Sequence, residues 1–165
     1  EIEIIPATFE QKPVVRNLME LYCYDFSEFT GDDVDSQGLY GYSYLDAYWV
    51  HEHRRPFLIR VDGKWAGFVL VTEFEVAEGV RVHWMAEFFV MRKYRRQGVG
   101  QRAACEVFDR FPGTWRVAQI QTNEPAQRFW RATIGRYTGG THREIEMEQW
   151  HGPVQEFRSP SGHGA

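Results

Sequence analysis

The sequence predicts one mixed α/β domain with a mostly antiparallel central sheet flanked by helices. The chain has 165 residues, of which 43% are hydrophobic and 16% aromatic, and this is enough for a single core. Apolar residues recur at helical spacing early in the chain and in strand-like runs in its middle. Asp62-Gly63 separates two of these runs and is typical of a hairpin turn, so the central strands should be antiparallel.

The front half of the chain predicts a strand, two helices and three strands. Apolar side chains between Val14 and Phe29 fall three or four residues apart, and Thr30-Gly31 ends that helix. The tyrosine-rich stretch LYGYSYLDAYW leads into a shorter helix. The predicted elements are a strand at 2–5, helices at 14–29 and 45–51, and strands at 56–61, 65–74 and 80–90.

The back half alternates helices and strands, which completes the predicted order β-α-α-β-β-β-α-β-α-β-β. Pro112-Gly113 ends one helix, and Gly135 closes the next. The predicted elements are a helix at 98–111, a strand at 116–122, a helix at 124–134, and strands at 136–142 and 145–150. We assign residues 1–152 to the domain. Residues 153–165, which end in the small and polar RSPSGHGA, are predicted to be a poorly ordered tail.

Composition and charge argue against several classes of protein. A net charge of -4 disfavours a nucleic-acid binder, which would usually be basic. Cys23 and Cys105 show neither zinc-ligand nor disulfide spacing, so we expect no metal and a reducing compartment. No apolar run approaches the roughly 20 residues of a membrane span, and the first residues lack a signal-peptide pattern. We therefore expect a cytoplasmic protein without nucleic-acid or membrane partners.

The segment YRRQGVGQ, residues 94–101, indicates an anion-binding turn before a helix. The run from Gly98 to Ala103 formally matches the dinucleotide fingerprint, but the preceding strand ends near Val90 and the next strand brings no acid. A P-loop is excluded because no Gly-Lys-Ser/Thr occurs. The alternatives left are a phosphate site and a solvated basic turn.

Two motifs resemble the GNAT superfamily of N-acetyltransferases. Arg95-x-x-Gly98-x-Gly100 is similar to the acyl-CoA signature of that family, and VAQIQTNEPAQRFW at 117–130 is similar to its fifth strand and fourth helix. EFFVMRKYRRQGVG further resembles polyamine N-acetyltransferases, and the match runs over about 55–137. The resemblance implies a GNAT-like domain that uses acetyl-CoA and acetylates an amine, either small or on a peptide or protein. It leaves a homodimer open.

The resemblance also implies a cofactor site. Main-chain N–H groups of residues 96–101 would wrap the pyrophosphate, with Arg95 or Arg96 on a phosphate. The strand end would pair with the pantetheine arm, and a bulge there would free an N–H for the thioester oxygen. Asn123 would bond the arm and is also assigned a catalytic role. The assigned cofactor residues are Phe88, Phe89, Val90, Arg95, Arg96, Gln97, Gly98, Val99, Gly100, Gln101, Asn123, Phe129 and Trp130. Phe88, Phe89 and Phe129 are equally compatible with a core.

Glu87 is the first candidate for the base that deprotonates the amine, because an acid is unusual in the run WMAEFFV. A carboxylate that faces solvent or pairs with an arginine is the alternative. Polyamine acetyltransferases carry a carboxylate pair here, whereas this chain has Ala86-Glu87, and a shift of one residue would change the face of the strand. Trp130 stands where family members often have a tyrosine acid, and Tyr22, Tyr24, Tyr40, Tyr42 or Tyr44 could substitute.

The acceptor side is predicted on the first helix and the loop that follows it. Asp25 lies at a core-facing helical position. It binds an arginine, caps a neighbouring loop, or faces the acceptor together with Glu28. Tyr42 belongs to the tyrosine-rich loop, and an acidic, aromatic surface suits a cationic amine. The competing functional hypothesis is a GNAT-like module that binds acyl-CoA without catalysis.

Overall fold

Seven strands, numbered in chain order, form one sheet in this computed structural model, which describes residues 1–160. The strands are β1 (Ile2–Pro6), β2 (Arg54–Val61), β3 (Lys64–Ala77), β4 (Val80–Val90), β5 (Gly113–Ala118), β6 (Arg143–Ile145) and β7 (Val154–Ser159). The helices are α1 (Lys12–Thr30), α2 (Val99–Arg110) and α3 (Glu124–Thr138). The sheet order is β1-β2-β3-β4-β5-β7-β6, and the predicted mixed α/β fold is confirmed.

The sheet is antiparallel except between β4 and β5, which run parallel. Asp62 and Gly63 both have positive φ, 49° and 78°, and form the predicted tight hairpin between β2 and β3. One face of the sheet buries its apolar side chains against α2 and α3. The other face packs on α1 through Val15, Leu18 and Met19. No helix among the described residues is long and apolar enough to cross a membrane.

The helix ends follow from local chemistry. Gly31, with φ 78°, ends α1 in the left-handed conformation that suits glycine. Asn123 begins α3, where its Oδ1 accepts a hydrogen bond from the Ala126 N–H at 3.1 Å. The predicted end of α3 at Gly135 is wrong. The helix runs on to Thr138 because Ile134 and Tyr137 keep helical spacing on the sheet, and it ends at Gly139.

The short helix predicted at 45–51 is present as a 3-10 helix, Leu45–Trp49. The predictions for the last two strands are wrong. The strand predicted at 136–142 begins inside α3, and β6 covers only Arg143–Ile145 of the region predicted to hold the last two strands.

The predicted C-terminal tail is also corrected, because Val154–Ser159 is strand β7 and lies between β5 and β6. Polar residues concealed this strand in the sequence. Gln155 is fully buried and exchanges hydrogen bonds with Gln119, and Ser159 is buried with its hydroxyl on the Phe108 carbonyl oxygen at 2.6 Å. Residues 161–165 lie outside the described residues.

Two irregularities of β4 shape the region around the predicted site. The parallel pairing with β5 is confined to His83 with Trp115 and Trp84 with Arg116. Residues 85–90 therefore have no strand partner on that side within residues 1–160. On the β3 side, Leu70 pairs with Glu87 but Val71 pairs with Met85, so Ala86 is the extra residue of a β-bulge.

Candidate functional site

The turn between β4 and α2 is rich in free main-chain N–H groups. It passes through a 3-10 helix at Arg92–Tyr94, and Arg96 and Gly98 then adopt positive φ, 62° and 79°. The first hydrogen bond of α2 runs from the Arg102 N–H to the Gly98 carbonyl oxygen at 3.0 Å. Within the described part of the chain, none of the six N–H groups of residues 96–101 donates a hydrogen bond. Six free donors at a helix N-terminus can hold an anion.

The two glycines of the turn are needed for different reasons. A Cβ on Gly98 would meet no atom within 4 Å, so its positive φ and the open space above it matter. A Cβ on Gly100 would lie 3.1 Å from the ring of Phe129, so this glycine lets α2 approach α3 closely. The sequence predicted a glycine turn but could not separate these two roles.

Arg95 is bound to protein groups. Its Nε donates to the Val90 carbonyl oxygen at 2.7 Å, and its Nη2 donates to Asp25 at 2.7 Å. Arg92 binds the other oxygen of the Asp25 carboxylate at 2.7 Å. Burial alone would raise the pKa of Asp25, but the two arginines more than offset it and hold that pKa below its ordinary value. Of the interpretations left open for Asp25, the structure therefore supports arginine binding.

The remaining side chains of the turn differ in exposure. Arg96 is exposed, and its guanidinium has no ion pair among residues 1–160. Gln97 donates to the Lys93 carbonyl oxygen at 3.0 Å, and Gln101 accepts from Arg136 at 2.8 Å. Val99 is buried under the turn. Arg95 and Arg96 were both predicted as candidate phosphate ligands. Arg95 binds Asp25, whereas the guanidinium of Arg96 has no ion pair among the described residues.

The strand end before the turn divides its side chains between the two faces of the sheet. Phe88 and Val90 belong to the face covered by α2 and α3, where the Phe88 ring centroid lies 4.8 Å from that of Trp130 and 5.8 Å from that of Phe129. Phe89 faces α1. Trp130 is 6% exposed, so this position is part of the core as well as a neighbour of Phe88.

Asn123 lies at the end of the segment that follows β5, and it is buried. Its Oδ1 is used to cap α3, while its amide nitrogen donates no hydrogen bond among the described residues. The carboxamide therefore keeps a donor for a ligand, although its acceptor is already used.

Glu87 lies on the α1 face of the sheet as a result of the bulge. In a regular strand the neighbouring residues Ala86 and Glu87 would face opposite sides of the sheet. Because Ala86 is the extra residue of the bulge, both residues lie on the α1 face. Tyr22 of α1 donates its hydroxyl to Glu87 Oε1 at 2.7 Å. Burial raises the pKa of Glu87, and hydrogen bonds from Tyr22 and Tyr42 offset part of that rise.

Three tyrosines surround this carboxylate. Burial and the nearby Glu87 charge raise the pKa values of Tyr22 and Tyr42 well above normal, so both stay protonated and keep a hydroxyl proton to donate. Tyr48 is 3% exposed, and its hydroxyl has no hydrogen-bond partner of acceptable geometry among residues 1–160. Of the tyrosines proposed as substitutes for the family acid, Tyr24 and Tyr44 are exposed instead.

The tyrosine loop is fixed to α1 by Glu20. Its carboxylate accepts the N–H groups of Tyr40 and Gly41 at 2.8 and 2.7 Å, which brings Tyr42 over Glu87. Sequence reasoning missed Glu20, Tyr48 and the pairing of Tyr22 with Glu87. The partners are 20 to 65 residues apart, so no local pattern reveals them. Glu28 is exposed one turn beyond Asp25 and makes no ion pair among the described residues.

The cysteines and histidines add no reactive centre to this region. Burial raises the pKa of the Cys23 thiol to about 11 and also raises that of Cys105, so neither thiol is activated. In the part of the chain that the structure describes, no three His, Cys, Asp or Glu residues are grouped so that they could hold a metal ion.

Comparisons with known proteins address the family and the fold of the chain. A family model described as Acetyltransferase (GNAT) family matches residues 16–135. No curated protein sequence matches the chain. The fold is similar to that of an acetyltransferase from Thermus thermophilus, with TM-score 0.69 and 14% identity over 95% of this chain and 96% of that one.

Two further solved structures are similar in fold. One is an aminoglycoside acetyltransferase from an uncultured soil metagenomic sample, in complex with sisomicin, with TM-score 0.64, 15% identity and coverage of 92% and 93%. The other is the ribosomal-protein-S18-alanine N-acetyltransferase from Escherichia coli, with TM-score 0.60, 13% identity and coverage of 100% and 99%. The family model spans well over half of the sequence, and on that basis the chain belongs to the GNAT family of acetyltransferases.

Proposed function

We propose that this protein transfers an acetyl group from acetyl-CoA to an amine by direct attack of the amine nitrogen. The observation that carries the proposal is the position of Glu87. It is a half-buried carboxylate on the strand that leads into the turn with six free N–H groups, and it lies in the part of β4 that has no pairing with β5.

The cofactor would lie along the unpaired edge of β4 and end at the turn. The free N–H groups of residues 96–101 and the positive end of the α2 dipole would bind the pyrophosphate, with Arg96 as the free cation. The edge formed by residues 85–90 offers main-chain groups to the amides of the pantetheine arm in the place of a missing strand. Asn123 would donate from its amide nitrogen, and Phe129 would pack beside the turn at Gly100.

The reaction needs a neutral amine. A lysine-like ammonium has a pKa of about 10.4, so its deprotonation at pH 7 costs about 4–5 kcal/mol without a base. In our proposal Glu87 takes one proton from the ammonium, and the neutral amine nitrogen bonds to the thioester carbonyl carbon. The carbon–sulfur bond then breaks with its electron pair on sulfur, and the nitrogen releases its second proton to solvent, which leaves a neutral amide. A thiol has a pKa near 8.5, so the thiolate leaves readily and takes a proton from solvent.

The surroundings of Glu87 suit this role. A base works best when its pKa lies near the working pH, and burial moves the pKa of Glu87 upward in that direction. Tyr22 and Tyr42 limit the rise by donating to the ionised form. Neither tyrosine is proposed as the acid for the leaving thiol, because their own pKa values are raised.

The acceptor would enter from the α1 face, where Tyr42 and Glu87 meet and where Glu28 is exposed at the end of α1. Asp25 is withdrawn from this set because two arginines occupy its carboxylate. Aromatic rings and carboxylates suit a small cationic amine or an amine on a peptide or protein. The free, unactivated cysteines suit direct transfer and a reducing compartment such as the cytoplasm.

The test measures thiol release from acetyl-CoA with four acceptors: an aliphatic polyamine, an aminoglycoside, a lysine peptide and a peptide with a free N-terminal alanine. We expect at least one acceptor to give turnover, accompanied by an acetylated product in mass spectra and lost in Glu87→Gln. CoA binding by calorimetry without turnover on any acceptor would favour the acyl-CoA-binding alternative. Absence of both would contradict the proposal.

A further inference from the structure

Asp25 of α1 lies at the junction between the two halves of the proposed site. Three residues earlier on the same helix, Tyr22 binds Glu87 on β4. Asp25 itself binds Arg92 and Arg95, which belong to the turn after β4. Helix α1 is therefore attached to β4 just before its end and to the turn just after it.

The attachment at Asp25 uses both carboxylate oxygens. Oδ1 accepts from Nε and Nη2 of Arg92 at 3.1 and 2.7 Å, and Oδ2 accepts from Nη2 of Arg95 at 2.7 Å. The side chain of Asp25 is only 25% exposed. Ion pairs of this kind, with several charge-assisted hydrogen bonds and partial burial, are more rigid than single surface pairs.

Arg95 is held by more than its charge. Its Nε donates to the carbonyl oxygen of Val90, the last residue of β4, and its guanidinium lies 5.9 Å from the centroid of the Phe89 ring. The side chain thus joins the end of β4 to α1 at the point where the chain enters the turn. The next residue is Arg96, whose positive φ begins the run of six free N–H groups.

We infer that Asp25 is a positioning residue for the cofactor: through Arg92 and Arg95 it fixes the turn so that the N–H groups of residues 96–101 are aligned for phosphate. Asp25 itself does not touch the cofactor. This inference rests on the proposed use of acetyl-CoA, and it assigns Arg95 a bridging role in place of the direct phosphate contact expected from the sequence.

The positioning role predicts a change in CoA affinity opposite to the one that the charge of Asp25 alone would cause. A carboxylate near an anionic cofactor opposes binding by simple electrostatics, so its removal should tighten binding if Asp25 acted only as a charge. The same result is expected if Asp25 competes with the phosphates for the two arginines. If Asp25 positions the turn, its removal weakens binding in spite of the more favourable charge.

The experiment titrates CoA into wild type and two variants by calorimetry at fixed ionic strength. Asp25→Asn keeps the size of the side chain but loses the charge and one acceptor, and we expect the Kd for CoA to rise about tenfold. Glu28→Gln is the matched control, because Glu28 is an exposed acid on the same helix near Arg92 without a hydrogen bond to it. We expect its Kd to be unchanged or slightly lower.

A charge-preserving variant keeps the test decisive if Asp25→Asn folds poorly. Arg95→Lys retains the cation for a phosphate but cannot bridge the Val90 carbonyl oxygen and Asp25 together, so we expect a similar loss of CoA affinity. In steady-state kinetics both variants should raise the KM for acetyl-CoA while kcat at saturating acetyl-CoA stays near that of wild type. A general loss of structure would lower kcat as well.

Equal or tighter CoA binding in Asp25→Asn, or wild-type affinity in Arg95→Lys, overturns the inference and leaves the proposed function intact. Failure of the wild type to bind CoA overturns both. Weaker binding in the two variants with unchanged affinity in Glu28→Gln supports the positioning role.

Discussion

The cofactor side and the acceptor side of the proposed site are built from different parts of the chain. On the cofactor side, the ligand-binding groups are main-chain N–H groups from six consecutive residues, 96–101. On the acceptor side they are side chains brought together from α1, the tyrosine loop and β4, with Tyr22 and Glu87 65 residues apart. The first region depends on backbone conformation, and the second depends on tertiary packing.

This difference determines how each region should respond to substitution. A change of backbone conformation in the turn should alter cofactor affinity and leave the chemistry alone. A change of a single functional group near Glu87 should alter turnover and its pH dependence and leave cofactor affinity alone.

Glu87→Gln should lower kcat by about 10²–10⁴-fold, the range for a general base, because the amide keeps the shape but cannot accept the proton. The loss should be greatest at low pH, where a free amine is rarest. A pH–rate profile with the best acceptor measures it, with CoA affinity as the internal control. A profile that matches wild type would remove Glu87 as the base.

Trp130→Ala should destabilise the fold by about 3–5 kcal/mol, because it leaves a cavity beside Phe88, Phe129 and Phe108. Trp130→Phe should keep most of this packing and most of the turnover, since we propose that the thiolate needs no acid at this position. Denaturant unfolding and steady-state rates check the two variants. Loss of turnover in a stable Trp130→Phe with normal CoA affinity would show that the indole N–H has a role in the chemistry.

Gly98→Val should weaken CoA binding about tenfold or more, since a branched side chain strains the positive φ and obstructs the open approach to the turn. Gly63→Val is the control. Gly63 has nearly the same φ, 78° against 79°, and equally open surroundings, but it lies in the β2–β3 hairpin. Both variants should lose similar stability in thermal unfolding. Equal CoA affinity in the two would place the phosphate elsewhere.

Tyr22→Phe should move the acid limb of the pH–rate profile upward. Glu87 acts as a base when it is ionised, so activity is present above its pKa and is lost as the pH falls through it. The Tyr22 hydrogen bond lowers that pKa, and its removal therefore raises it further. Tyr24→Phe, on the exposed side of the same helix, should leave the profile unchanged. A downward shift in Tyr22→Phe would exclude this assignment.

The double variant Cys23→Ala/Cys105→Ala should keep most of the activity, because burial raises the pKa of both thiols and direct transfer needs neither. Mass spectrometry of the wild type mixed with acetyl-CoA alone should reveal no acetylated cysteine. An acetyl group trapped on either residue would indicate a two-step transfer instead.

The same contrast explains what the sequence could predict. The glycine turn was recognised because its signal lies within a few consecutive residues and depends on a positive φ that glycine adopts readily. The contact of Arg95 with Asp25 was not predicted, because Asp25 is 70 residues earlier in the chain. For Glu87 the residue type was informative, but its face was not predictable, since the bulge at Ala86 depends on pairing with β3.

The wrong predictions about the fold concern segments whose structure depends on contacts with distant residues. Strand β7 carries a buried Gln155 and Ser159, whose hydrogen-bond partners are on β5's continuation and α2. Because these partners are distant in the sequence, the segment alone resembles a polar tail. The hairpin at Asp62-Gly63 was predicted correctly because two adjacent residues alone specify it.

The most direct test measures kcat and CoA affinity in wild type, Glu87→Gln, Gly98→Val and the combined variant Glu87→Gln/Gly98→Val. We expect Glu87→Gln to lose turnover with normal CoA affinity, and Gly98→Val to lose CoA affinity with near-normal kcat at saturating acetyl-CoA. The combined variant should show both the loss of turnover and the loss of CoA affinity, each as large as in the corresponding single variant, because the two positions act independently. Loss of CoA affinity in Glu87→Gln, or turnover equal to that of wild type, would contradict a site divided between a main-chain cofactor turn and a carboxylate base.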